Sequence, residues 1–236
     1  MKSNHGIRGP ARLSRSLGNE DNDPTLVAAA MDGKAFAEIV QGKVLLWDTN
    51  SDAKKLLPLP DNQTASALAL SGDGSGGRMV AVGSSSGVRV FSPNGSVIKE
   101  LARQQGSVER LAFSSDGRKV AGAFEDGAIR VWNVANGSVE TKLIAPREIT
   151  ALVFAPNGEA LAAATSDNTI TVWSLQSGLP QAKLQKHDAT INALSFSPDG
   201  QFLASGSDDR TIVLWDVVSG KSKHIIQKTT NRPSPR

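Results

Sequence analysis

The 236-residue chain contains no cysteine, which excludes disulfides, thiolate nucleophiles and cysteine-ligated zinc. Histidine is nearly as scarce: His5, His187 and His224 lie far apart, a spacing that argues against a histidine metal cage. No cofactor or metal is expected on these grounds. Apolar runs fall well short of the roughly 18–20 residues that a membrane-spanning helix requires. The opening MKSNHGIRGPARLSRSL is cationic but lacks the apolar stretch of a secretory signal. The expected location is therefore intracellular, cytoplasmic or nuclear, with no membrane partner.

Excess positive charge is also missing from the body of the chain. The net charge is +3, but residues 1–19 carry four basic and no acidic side chains, and residues 228–236 carry three basic and none acidic. Those seven positive charges leave residues 20–227 at −4. A body that is mildly acidic between basic ends argues against nucleic acid as the ligand of the folded part.

What the chain does contain is one phrase said five times. KVLLWDT (43–49), GVRVFSP (87–93), AIRVWNV (128–134), TITVWSL (169–175) and TIVLWDV (211–217) share an alternating apolar run ending in an aromatic residue. Trp47, Phe91, Trp132, Trp173 and Trp215 stand 44, 41, 41 and 42 residues apart, within the period of about 40–45 expected of a propeller blade. Period-2 runs separated by turn dipeptides such as Asp116-Gly117, Asn157-Gly158, Asn136-Gly137 and Ser177-Gly178 predict antiparallel strands, and helical spacing is nowhere sustained. In TALVF (150–154) and NALSF (192–196), Leu152, Phe154, Leu194 and Phe196 share one strand face, while Ala151, Val153, Ala193 and Ser195 share the other. Such units stack bulky face on small face, and each needs neighbours to bury both.

These units resemble WD40 repeats over about residues 25–227. The resemblance implies an all-β propeller of four-stranded blades, with boundaries expected at 25–60, 61–103, 104–145, 146–186 and 187–227, a basic flexible segment at 1–24 and another at 228–236. Seven blades is the number that the resemblance most often implies. An incomplete ring is therefore expected, with a closed five-blade ring as the alternative.

WD40 repeats often carry a hydrogen-bonded set of His, Ser or Thr, Asp and Trp. By resemblance the fifth unit supplies it with His187, Ser205, Asp209 and Trp215. The third and fourth units keep Asp126 with Trp132 and Asp167 with Trp173, but hold Gln104 and Gly122, then Ala145 and Ala163, at the other two places. Ser205, His187 and Asp209 are also the residue types of a hydrolytic triad. No nucleophile elbow surrounds Ser205, however, and its strand is made of small residues, so a structural role is expected and no catalytic residue is assigned.

The remaining motifs are weaker. SGDGSGGR (71–78) lacks the Lys-Ser/Thr and helix of a phosphate cradle, and the acidic pairs in DNDP and SDDR read as turns rather than calcium ligands. A ubiquitin-ligase docking repeat would place Arg or Lys three residues after the aromatic, where this chain has Asn50, Asn94, Ala135, Gln176 and Val218.

With no reactive site, the expected function is a non-catalytic scaffold for protein–protein interactions in a multiprotein assembly. The alternatives are a nucleic-acid-associated or regulatory factor acting through its basic ends, or a fragment of a larger WD40 protein. Blade topology would place second-to-third-strand turns and interblade connections on one rim, with Asp61, Gln63, Arg103, Gln105, Glu125, Arg147, Glu148, Asp167, Asn168, Asp188, Asp208 and Arg210 as candidate partner-binding residues.

Overall fold

The structure is a computed structural model that describes residues 26–30, 33–49, 51, 53–60, 63–72, 78–101 and 106–227. The expected basic end segments, Gln104, three of the candidate rim residues (Asp61, Arg103 and Gln105) and the centre of the glycine-rich stretch lie outside these residues.

Twenty strands and no helix occur among the described residues, arranged as five four-stranded antiparallel sheets. The first sheet contains β1 (Leu26–Ala29), β2 (Ala35–Val40), β3 (Lys43–Asp48) and β4 (Lys54–Leu57). The second contains β5 (Ala65–Leu70), β6 (Val80–Ser84), β7 (Gly87–Phe91) and β8 (Val97–Leu101). The third is β9 (Val108–Phe113), β10 (Lys119–Phe124), β11 (Ala128–Asn133) and β12 (Val139–Ile144). The fourth is β13 (Ile149–Phe154), β14 (Ala160–Thr165), β15 (Thr169–Ser174) and β16 (Pro180–Gln185). The fifth is β17 (Ile191–Phe196), β18 (Phe202–Ser207), β19 (Thr211–Asp216) and β20 (Lys221–Gln227). In each sheet the strands pair in chain order, as hairpins joined by short turns require.

Turn chemistry sets the register. The β2–β3 hairpin turns through Gln41 and Gly42, both at positive φ (50° and 72°), the two-residue arrangement whose twist matches that of the strands. In the last three blades the corresponding turns have three residues and end at Gly127, Asn168 and Arg210, again at positive φ. This one-residue difference matters for the site described below.

The sheets pack in sequence. The innermost strands touch in order, with β1 against β5, β5 against β9, β9 against β13 and β13 against β17. An opening of about 590 Å³ is lined by Leu26, Ser66, Glu109, Thr150 and Asn192, one residue from each inner strand. Side chains tie neighbouring inner strands together: Ser66 Oγ donates to Val108 O (2.6 Å), Arg110 Nε to Thr150 O (2.8 Å) and Thr150 Oγ1 to Ile191 O (2.7 Å).

Each blade interface sets small residues against large ones. Ala121, Ala123, Ile129 and Val131 of the third blade cluster with Phe154, Leu161 and Trp173 of the fourth, and Leu152 packs on the same cluster. Ala151 lies in the next cluster, where Ala162, Ala164, Ile170 and Val172 meet Leu203, Val213 and Trp215 of the fifth blade. Strand β14, with Ala162, Ala163 and Ala164 all fully buried, is sandwiched between two sheets, and the absence of bulk there permits close approach. Among the described residues no close sheet-to-sheet packing joins the fifth blade back to the first. The sheets form an open arc, as expected of an incomplete propeller.

Candidate functional site

The fifth blade brings His187, Ser205, Asp209 and Trp215 together. Trp215 on β19 lies beside β18, where Leu203 pairs with Trp215 and Ser205 with Val213. His187 enters from the β16–β17 connection and Asp209 from the β18–β19 turn. Trp215 Nε1 donates to Ser205 Oγ (2.8 Å), Ser205 Oγ lies 2.7 Å from His187 Nε2, and His187 Nδ1 lies 2.7 Å from Asp209 Oδ2. An indole only donates, so Ser205 accepts from it and has its own proton to offer to Nε2. That leaves the neutral imidazole protonated on Nδ1, facing the carboxylate. The chain of donors runs one way, from Trp215 through Ser205 and His187 to Asp209.

Asp209 is where the chain ends. Its Oδ2 also accepts the Asp188 amide (3.1 Å), and its Oδ1 accepts both the Thr211 amide (2.8 Å) and the Thr211 hydroxyl (2.6 Å). Burial pushes this carboxyl group upward, but the bonds from Thr211, His187 and the Asp188 amide outweigh burial and hold it well below the usual carboxylate range. Thr211 was not among the residues that sequence reasoning singled out, although its place two residues after Asp209 is that of a turn-closing side chain.

The network is sealed inside the blade. Ser205 is 1% exposed, Trp215 2% and His187 6%. A Ser205 Oγ that already holds an indole N–H and an imidazole is not presented to a substrate, unlike the exposed hydroxyl of a nucleophile elbow.

The partial sets behave differently. Asp126 Oδ1 accepts the Ala128 amide (2.9 Å), and Asp167 Oδ1 accepts the Thr165 hydroxyl (2.7 Å) and the Thr169 amide (3.3 Å). Both acids close the turn after the second strand. The Thr165 hydroxyl bond is the largest reason that Asp167 sits below its ordinary value. Trp132 and Trp173 are buried in the apolar clusters, and a Cβ at Gly122 would come within 3.0 Å of the Trp132 ring, so the small residue at that place makes room for the indole.

The first blade holds a polar pair that sequence spacing missed. Trp47 Nε1 donates to Glu38 Oε1 (2.9 Å), and Glu38 is 5% exposed. Glu38 pairs with Leu45 as Ser205 pairs with Val213, so it occupies the serine place of the fifth blade. The two-residue turn at Gln41-Gly42 shortens the separation from tryptophan to nine residues instead of ten.

The described rim residues lie on second-to-third-strand turns and interblade connections, and hydrogen bonds tie each turn to the connection beside it. The Glu125 amide donates to Ser107 O, Ser166 to Glu148 O and Asp208 to Thr190 O. In the second blade Gln63 Oε1 accepts the Ser86 hydroxyl (2.6 Å) and the Ser84 hydroxyl (3.3 Å). Glu125, Arg147, Glu148, Asp167, Asp188, Asp208 and Arg210 are exposed, whereas Gln63 and Asn168 are half-buried. Five of these nine residues are acidic and two are basic. Glu109, on inner strand β9, is raised above its ordinary value by partial burial first, then by the Glu148 charge, with the Arg110 guanidinium opposing and Glu125 adding least. Among the described residues no cluster of His, Asp and Glu is arranged to hold a metal ion, and no helix is long and apolar enough to cross a membrane.

A ring segment of four-stranded blades, tied by a His-Ser-Asp-Trp chain in one of them, defines a WD-repeat propeller. The WD domain, G-beta repeat family matches at residues 95–133, 137–174 and 178–216, and the chain belongs to this WD40-repeat family. Each matched stretch begins on the outer strand of one blade and runs through the inner three of the next, so sequence repeat and structural blade are out of step by one strand. Of the solved structures, 1802 chains match, a breadth that identifies a fold and no particular partner. One is a chain of "Crystal Structure of Mitotic Checkpoint Complex", 20% identical, with a TM-score of 0.79 over 96% of this chain and 75% of that one. A comparison with curated protein sequences gives no match.

Proposed function

We propose that this chain is a non-catalytic interaction scaffold whose binding surface is the rim of turns and connections around the central opening, and that it engages basic segments of partner proteins. The observation that carries this reading is the charge of the rim: Glu125, Glu148, Asp167, Asp188 and Asp208 against Arg147 and Arg210. A negative rim attracts and orients cationic protein surfaces and repels phosphate backbones. The polar network of the fifth blade serves this role indirectly, by fixing the β18–β19 turn that presents Asp208 and Arg210. A structural likeness to a chain of a mitotic checkpoint complex supports membership in a multiprotein assembly in general and does not select one.

The test is affinity purification with the parent chain and with a variant carrying Glu125→Lys, Glu148→Lys, Asp188→Lys and Asp208→Lys. These exposed substitutions should leave the melting curve close to that of the parent, and basic partners should be lost from the variant. Recovery of the same proteins by both would sink the reading.

A further inference from the structure

At the end of the molecule opposite the acidic rim, each interface between blades is closed by side chains at two places. One is the residue just before the second-strand partner of the blade's aromatic residue, and the other is the last residue of the next blade's first strand. Between the second and third blades these are Met79 and Phe113, packed in one cluster, with Met79 Cε 3.3 Å from where a Cβ on Gly117 would lie. Between the third and fourth, Lys119 Nζ crosses to Gly158 O (3.3 Å) and Phe154 is buried. Between the fourth and fifth, Ala160 is small, but Phe196 packs on the same cluster. Between the first and second the two places fall to Ala35 and Leu70, and only there is neither a long side chain nor an aromatic ring supplied.

An opening of about 340 Å³ results, with Ala35, Leu46, Leu70, Met79 and Val80 among its walls. Its charged lining is Lys54, Lys55 and Arg78 against Asp48. Both lysines are exposed and Arg78 is half-buried. Lys55 spans the interface, with its stem against Gly95 and its Nζ donating to Asn94 O, and Lys54 Nζ lies 5.5 Å from the centre of the Trp47 ring. The two ammonium groups are thereby held at the edge of an apolar gap. The gap lies between two blades that are both present, so it does not depend on how the ring closes. What fits it is shown by the next two interfaces, where the corresponding space is taken by the unbranched side chains of Met79 and Lys119.

We propose that this opening receives one apolar side chain from an acidic segment of a partner protein, with Asp or Glu residues beside that side chain meeting Lys54, Lys55 and Arg78. An apolar anchor in a pocket edged by complementary charge is the arrangement that gives a short segment both affinity and orientation. The basic ends of this chain do not have the charge to fill it: residues 1–19 and 228–236 carry four and three basic side chains and no acidic one. A nucleic-acid backbone would satisfy the cations and leave the apolar walls uncovered. The chain thus holds basic partner segments at one end and an acidic segment at the other.

The test is a peptide array probed with the full chain. Each peptide carries one Met, Leu or Phe within a run of Asp and Glu and is paired with a copy that has Ser in that place. The parent should retain the best apolar members at least about tenfold above their Ser copies, the worth of one apolar side chain taken out of water. Ala35→Met, which puts into the gap the side chain that closes the next interface, should retain both members of each pair alike. Lys54→Glu with Lys55→Glu, both at exposed positions, should lose the acidic peptides altogether and provides the test if Ala35→Met fails to fold. Neither variant should change the capture of basic peptides, which separates this site from the acidic rim. Equal retention of apolar and Ser members by the parent, preference for the apolar members that survives in either folded variant, or capture of single-stranded oligodeoxythymidine in place of the peptides would overturn the proposal.

Discussion

The fourth and fifth blades share one backbone plan but are held together by different means. Forty-two residues separate Trp173 from Trp215, yet the fourth blade has Ala145 and Ala163 where the fifth has His187 and Ser205. The fourth blade is covered on both faces, with five of six residues buried in β14 and five of six in β15. Apolar burial alone fixes its tryptophan. The fifth blade is covered on one face, with two of six residues buried in β18 and two in β19. There a directed chain of hydrogen bonds ties the third strand to the second, then to the connection and the turn. Trp215 is buried as deeply as Trp173, so the fifth blade adds directional bonds to apolar burial on its covered face, and a fully satisfied buried network is stronger than its separate pairs.

The comparison is tested most severely by truncating both tryptophans. Trp173→Ala and Trp215→Ala should each lose about 3–5 kcal/mol, the cost of removing a large core aromatic, because the indole body is buried in both. Denaturant unfolding followed by circular dichroism measures it. If Trp215→Ala costs less than ~1 kcal/mol while Trp173→Ala costs the full amount, the fifth blade unfolds apart from the rest and the contrast drawn above fails.

A smaller effect isolates the network. Ser205→Ala should cost about 1–3 kcal/mol by leaving the Trp215 N–H and His187 Nε2 unpaired. Asp209→Ala should cost a similar ~1–3 kcal/mol, and the double variant should cost less than the two together, since both residues belong to one chain of bonds. Strict additivity would show that the four side chains act separately.

Much of this was legible in the sequence, for physical reasons that also explain what was not. The spacing of Trp47, Phe91, Trp132, Trp173 and Trp215 reports a blade because every blade must return to the same place. The asymmetry of Leu152 against Ala151 reports which face each strand gives to which neighbour. Glu38 was missed because a hairpin one residue shorter moves the serine place by one, and a fixed count from Trp47 lands on Ala37. An open ring leaves two end faces uncovered, which the expected incomplete propeller already implied, but the strand of Ile212 does not itself show it: Ile212 and Ile170 sit in the same pattern, and whether a residue is covered depends on a neighbouring sheet rather than on its own strand. Thr211 and the Gln63–Ser86 pair depend likewise on how turns fold back on connections.

The smallest effect concerns acid. Asp209 accepts bonds from the Thr211 hydroxyl and amide, the Asp188 amide and His187, whereas Asp167 accepts from Thr165 and Thr169, with a smaller contribution from the Lys183 charge. Both carboxyl groups are lowered in the folded state. For a lowered carboxylate the stabilisation is complete above the unfolded value of about 4 and is lost as pH falls below it toward the folded value. The unfolding free energy of the parent should therefore decline more steeply below pH ~4 than that of Asp209→Asn, by at most about 1.4 kcal/mol per pH unit for one proton. Asp167→Asn should flatten the same curve less, having fewer donors to lose. Acid titrations of the three proteins by denaturant midpoint give the ordering. Equal slopes for the parent and Asp209→Asn would mean that the bonds to Asp209 do not persist in solution, and the fifth blade would then be held, like the fourth, by burial alone.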